Sequence, residues 1–295
     1  LLGTSRFKLK YIIYTSVIIG SLLISKPFIA GQELQSRNSK PNIIIVGVDG
    51  LRPDHLLYEK SSKNYAPFIN SLLSESRIYK NSYSPQGRTY VAWMSILTGQ
   101  YPKTNGARFN LAPPELINKK FPVLEELHKN GYHTSYAMDE RRFNQIDQSY
   151  GFKTAIGPKI GAADAFITNF ADLPYINILL NHPYSGIIFP YLHNNRAYGK
   201  TYQPELFNKE VISSLSTTTP NLLAVHFCQL HWPYTSNDFI NNDSSDWNGN
   251  YSHFMYKSML KKVDIQLEHF FIELKRKKFL ENSIVYLISD HGEGF

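Results

Sequence analysis

The chain has 295 residues, 31 Lys and Arg against 24 Asp and Glu, and a formal net charge of +7. Its single cysteine, Cys228, excludes an internal disulfide and a cysteine-only zinc site. The positive charge is not interleaved with aromatic residues, so no nucleic acid is expected as a partner; it suits an anionic substrate or a lipid headgroup instead.

Residues 1–10 carry Arg6, Lys8 and Lys10 and read as a cytoplasmic basic segment. The apolar run Tyr11–Ser25 follows, as a membrane anchor or the core of a signal peptide. Positive flanks stay in the cytoplasm, which places the rest of the chain outside it. The expected location is therefore the cell membrane with the large domain outside, or a secreted or periplasmic protein if the segment is cleaved. Residues 26–40 are a linker, polar from Gln32 onward. Roughly 255 residues remain, enough for one large α/β domain over 41–295. The chain starts without Met and stops four residues past His291, so both ends are expected to be truncated.

The domain opens on a strand, Pro41-Asn42-Ile43-Ile44-Ile45-Val46-Gly47-Val48, that runs into Asp49-Gly50. Its Ile and Val content is that of a buried parallel strand. Ala66–Ser76 has a helical pattern with Phe68, Leu72 and Leu73 inward, and Thr89 begins a helix over Tyr90–Leu97. Phe121–Asn130 is a helix closed by Gly131, followed by a strand over Tyr132–Met138. Further strands are expected at Ala163–Thr168 and at Asn221–Cys228, with Cys228 in the core. Tyr175–Gln203 lacks a clean period and reads as an insertion or lid. A long helix from His253 to about Phe279 aligns Tyr256, Leu260, Val263, Leu267, Phe270 and Leu274 in one apolar stripe. Lys275–Lys278 closes it where cations suit the helix dipole. A second apolar strand, from Ser283, ends in Ser289-Asp290-His291-Gly292-Glu293.

Alternation of strands and helices predicts an α/β fold, a large and mostly parallel central sheet with helices on both faces. Ligands of such sheets bind beyond the carboxyl ends of the strands. Asp49, Asp290 and His291 would meet there, with the donor types of a divalent-metal site.

Five pieces in order resemble the sulfatase and alkaline phosphatase superfamily. They are Asp49-Gly50-Leu51-Arg52-Pro53-Asp54, Leu97-Thr98-Gly99-Gln100-Tyr101-Pro102, Phe121–Tyr132, His231-Trp232-Pro233-Tyr234 and Ser289–Glu293. The resemblance implies an alkaline-phosphatase-like fold and a nucleophile eight residues before Leu97, which is Thr89. Sulfatases of the family carry a cysteine or serine there, converted to formylglycine, followed by an Arg where this chain has Trp93. Threonine is not a substrate for that conversion. Thr89 thus looks like the unmodified nucleophile of the superfamily's phosphodiesterases, phosphoethanolamine transferases and lipoteichoic acid synthases.

A metal held by Asp49, Asp290, His291 and Thr89 would activate a hydroxyl that is otherwise a poor nucleophile. Gly50 stands where calcium-binding sulfatases have a second Asp, which favours zinc or manganese over calcium or magnesium. No Asp-x-x-x-His pair supplies a second ion, so one is expected. By resemblance, His231 assists the leaving group or binds the ester. Arg88 and Arg52 are candidate contacts to the anion through charge-assisted bonds. Ala137-Met138-Asp139-Glu140 replaces the family's Gly-Lys-Trp-His, which argues against sulfate esters. The expected activity is a metal-dependent hydrolase or transferase acting on phosphate esters, ahead of sulfate esters, of a lipid headgroup, glycan or small molecule through a covalent Thr89 intermediate. A sulfatase without formylglycine and a catalytically degenerate extracellular binding protein are the alternatives.

Overall fold

The computed structural model describes residues 40–59, 61–141, 144, 146–158, 170, 173–182, 184, 196, 202–234 and 243–295. The expected basic segment, the apolar run Tyr11–Ser25, all of the linker but Lys40, and the strand at Ala163–Thr168 lie outside them. Among the described residues no helix is long and apolar enough to cross a membrane.

In chain order the elements are β1 (Asn42–Val48), α1 (Pro67–Ser74), α2 (Thr89–Thr98), α3 (Pro102–Asn105), α4 (Pro122–Lys129), β2 (His133–Met138), β3 (Thr154–Ile156), α5 (Pro174–Leu180), α6 (Pro204–Ser213), β4 (Asn221–Phe227), α7 (Tyr251–Arg276) and β5 (Ser283–Ser289). The strands form one sheet in the order β3-β2-β4-β1-β5, and every pairing is parallel. Five helices (α1, α3, α4, α5 and α6) open with Pro, whose missing N–H loses nothing at that position. Sequence reasoning did not anticipate α6 or the three-residue β3.

Side chains alternate across the sheet, and the two sets pack on different helices. Ile44, Val46, Val48, Leu223, Val225 and Phe227 share a core with the α7 stripe, whose Tyr256, Leu260, Val263, Leu267, Phe270 and Leu274 are all buried. Leu222, Ala224 and Cys228 share the other core with Tyr90, Trp93, Met94 and Leu97 of α2. Ile43, Ile45 and Ile288 pack against that second core. Helices therefore cover both faces, as expected. Parity then fixes the active face. Counting by twos from Ile45, Ala224 and Ile288 reaches Asp49, His226 and Asp290.

Among the described residues β1 is flanked on both sides, whereas β5 has only β1 beside it. Ile284, Val285 and Tyr286 remain 47%, 38% and 51% exposed, so the apolar run of β1 is buried or half-buried as expected while that of β5 is largely exposed. The Leu97–Pro102 tag has a local task. Thr98 Oγ1 donates to Met94 O and accepts from Gln100 N, while Gly99 takes the left-handed conformation (φ 67°) that ends α2.

Candidate active site

Adjacent strands β4, β1 and β5 deliver their carboxyl ends to one place, and α2 begins above it. Asp290 is clamped through Oδ1, which accepts from Gly50 N at 3.3 Å and His291 N at 2.9 Å. Its Oδ2 is left buried without a hydrogen bond, as is Oδ1 of Asp49. Gly50 can supply that N–H because it sits in the left-handed region (φ 64°), where a second aspartate would be strained. His291 donates Nδ1–H to Gly292 O at 2.8 Å, which leaves the Nε2 lone pair facing inward. Nε2 lies 3.4 Å from both Asp49 Oδ1 and Asp290 Oδ2.

Thr89 is the first residue of α2, not its N-cap; Arg88 takes that place without a side-chain cap bond. Thr89 Oγ1 lies 3.4 Å from Asp49 Oδ2 and 3.4 Å from His291 Nε2. Residues 49, 89, 290 and 291 thus converge. The free N–H groups of the helix terminus favour an anion at the same place.

His226, which no motif in the sequence singles out, is buried at the floor of this site. Its Nε2 is 3.4 Å from Asp290 Oδ2 and 3.6 Å from Asp49 Oδ2. The two carboxylates make the pocket strongly favourable to positive charge. Burial opposes a proton on His226, but Asp290 and then Asp49 outweigh it and raise the pKa to about 10. They raise His291 in the same way, again against burial. Carboxylate oxygens buried without a hydrogen bond, a histidine whose Nε2 stands 3.4 Å from both, and a nearby hydroxyl are donors that fit a divalent cation. Asp49, Asp290, His291 and Thr89 can hold it. One signal for His226 was in the sequence: it shares parity with Ala224 and Cys228 at the carboxyl end of an apolar strand.

His231 stands at the mouth, where it, Asp49 and His291 have ligand atoms within 4.8 Å of one another. Its Nδ1–H donates to Trp232 O at 2.8 Å, so Nε2 is the atom that can exchange a proton. Support comes from below. Arg196, 1% exposed, donates Nη1 to Glu140 Oε2 at 3.1 Å and Nη2 to His231 O. Asp139 accepts from Cys228 N at 2.8 Å and from Tyr202 O–H at 2.7 Å. The Asp139-Glu140 pair is thus the footing of the His231 loop. Nothing in the spacing of the sequence pointed to Arg196.

Of the two arginines, Arg88 is exposed and its guanidinium has no ion pair among the described residues. Arg52 is committed: Nε and Nη2 donate to Asp54 at 3.0 and 2.8 Å, and Nη1 to Glu293 O at 2.8 Å. Asp54 also accepts from His55 Nδ1–H, which leaves His55 Nε2 to accept from His253 Nε2–H at 2.8 Å. Asn248 Nδ2–H completes the relay at His253 Nδ1. Burial lowers the pKa of both histidines, so the unfolded chain takes up protons first. Their contribution to stability is full above the ordinary value of 6.5 and is lost as the pH falls through the lowered folded values. Thermal melts between pH 7.5 and 5 should fall more steeply for the wild type than for His253→Gln. Equal slopes would remove the relay as their cause.

The sulfatase family's sequence profile matches residues 41–295. No curated protein matches the chain. Among solved structures, Ps i-CgsB in complex with k-i-k-neocarrahexaose is similar at 18% identity and TM-score 0.60, over 85% of this chain and 58% of that one. The phosphonate monoester hydrolase of Agrobacterium radiobacter is similar at 16% and 0.58, over 86% and 63%. Lipoteichoic acid synthase LtaP from Listeria monocytogenes is similar at 16% and 0.52, over 86% and 57%. The chain thus spans less than two thirds of these structures, and at such identities the likeness is one of fold. Motif order and family profile agree: this chain belongs to the sulfatase family.

Proposed function

We propose that residues 41–295 are the catalytic domain of a metal-dependent phosphoester hydrolase or transferase that works through a covalent Thr89 intermediate. The observation that carries this reading is the position of Thr89 Oγ1, 3.4 Å from Asp49 Oδ2 and from His291 Nε2 at the start of α2. One divalent ion, zinc or manganese ahead of calcium or magnesium, would be held by Asp49, Asp290, His291 and Thr89. When bound, such an ion lowers the pKa of a hydroxyl and withdraws charge from the phosphoryl oxygens.

The protein's own groups do the rest. Asp49 Oδ2 accepts the Thr89 proton as Oγ1 attacks phosphorus. The new Oγ1–P bond forms as the P–O bond to the leaving alcohol breaks. A protonated His231 gives its Nε2 proton to that alcohol. Arg88 pairs with the ester anion at the rim. Water or an acceptor hydroxyl then attacks phosphorus and gives its proton to His231 Nε2, while the Oγ1–P bond breaks and Asp49 returns the proton to Thr89. The shared fold of a phosphonate monoester hydrolase and a lipoteichoic acid synthase is in keeping with either acceptor. An N-terminal anchor or signal over Tyr11–Ser25 would place this chemistry outside the cytoplasm, on an anionic lipid headgroup, glycan or small ester.

The test is acid quench and mass spectrometry during turnover of a slow phosphodiester. Phosphate on the peptide carrying Thr89 is expected. An unmodified Thr89, with turnover persisting in Thr89→Ala, would end the proposal.

A further inference from the structure

We propose that His226 is a ligand of the site's cation, closing its inner side. The donor set then becomes Asp49, Asp290, His291, Thr89 and His226, with two imidazoles. This rests on the reading that a divalent ion binds there, and it adds a residue that neither the motifs nor the family match singles out.

The distances carry the inference. A charged imidazolium pairs with carboxylates at about 2.7–2.9 Å. His226 Nε2 instead stands 3.6 and 3.4 Å from Asp49 and Asp290, too far for a strong hydrogen bond to either. A separation of 3.4 Å recurs between His291 Nε2 and both Asp49 Oδ1 and Asp290 Oδ2, and between Thr89 Oγ1 and Asp49 Oδ2, so Asp49 would present both of its oxygens. Donor atoms on a common ion with bonds near 2.1 Å lie about 3.0–3.6 Å apart at the 90–120° angles of a five-donor shell. The contrast within this molecule is the His55–His253 pair, whose 2.8 Å separation is that of a hydrogen bond.

Burial makes the same point. Neither ring nitrogen of His226 has a hydrogen-bond partner, although the residue is fully buried. Such a group costs free energy unless something else satisfies it. The fold has also made room for the ring. Gly47 is its cross-strand neighbour, and a Cβ there would meet His226 Nδ1 at 2.7 Å. Trp93 packs edge-on against the imidazole with centroids 5.3 Å apart, which fixes its orientation. Cys228, two residues on and on the same face, has a ligand atom within 4.8 Å of those of Asp49 and His226. A wall of nitrogen with sulfur behind it favours zinc or cobalt over calcium and magnesium.

The alternative is that His226 is a fixed counter-cation, and the two roles differ in sign. Protein stripped with a chelator would be titrated with Zn²⁺ and with Co²⁺, as wild type, His226→Gln and His226→Ala. A ligand predicts at least tenfold weaker binding in both variants and an altered Co²⁺ visible spectrum. A counter-cation predicts unchanged or tighter binding with the same spectrum, which would overturn the proposal. Should the variants fail to fold, X-ray absorption of the Zn²⁺-loaded His231→Ala protein decides. Two imidazoles, His226 and His291, are expected on the metal; one overturns the proposal. If wild-type protein binds no ion, the underlying metal-site reading falls first, an outcome distinct from binding that ignores His226.

Discussion

Thr89→Ala is expected to lower kcat by at least about 10³-fold while the protein stays folded, the signature of a lost nucleophile. The structure separates these two effects. Thr89 contributes no N-cap, since Arg88 occupies that position without a side-chain bond. Its hydroxyl sits 3.4 Å from its two neighbours, so its removal forfeits only weak hydrogen bonds. Alanine is also a good residue for the first turn of a helix. Stability should therefore change by no more than about 1 kcal/mol, a common value for a residue of this kind. Thr89→Ser keeps an oxygen at the same place and should retain far more activity than the alanine variant. The comparison of kcat with melting temperature across the three proteins is the check. Equal activities for Ser and Ala would mean that the oxygen takes no part in bond formation.

Much of this arrangement could be read from the chain, because it depends on local rules. β1, β4 and β5 were legible as apolar runs, and the stripe of α7 as a period of three and four. Thr89 followed from the nucleophile position that the family resemblance implies, and Asp49, Asp290 and His291 from ending the right strands. What escaped notice depends on pairing across the sheet. His226 looks like any polar residue at a strand end until the register sets it opposite Gly47 and beside Asp49 and Asp290. Asp139 and Glu140 looked like the loss of family residues. They turn out to be occupied, one by Cys228 N–H and Tyr202 and the other by Arg196, 56 residues away in the chain. Arg52 reads as an anion contact by motif, but its guanidinium is engaged by Asp54 and Glu293. Charge alone could not reveal which arginine is available.

Gly47→Ala should damage both stability and the site, although it adds one methyl group to a strand. Glycine is a poor strand residue, so at an ordinary position the change would be neutral or favourable. Here the added Cβ would lie 2.6 Å from Trp93 Cζ2 and 2.7 Å from His226 Nδ1. Neither neighbour can swing away, because Trp93 and His226 are both fully buried and Trp93 also packs on Tyr136. Overpacking of this kind costs about 1–3 kcal/mol, and the upper end is expected with two rigid rings involved. The methyl would also push His226 off Asp49 and Asp290, so activity should fall beyond what the lost stability explains. A double-mutant cycle isolates the cause. Trp93→Leu alone leaves a cavity and is destabilising, but combined with Gly47→Ala it gives the methyl somewhere to go. Denaturant midpoints should then show the double variant to be less destabilised than the sum of the single ones, by about 1 kcal/mol or more. Strict additivity would mean that the crowding of Gly47, Trp93 and His226 is relieved elsewhere, and that the glycine is not what sets the position of the imidazole.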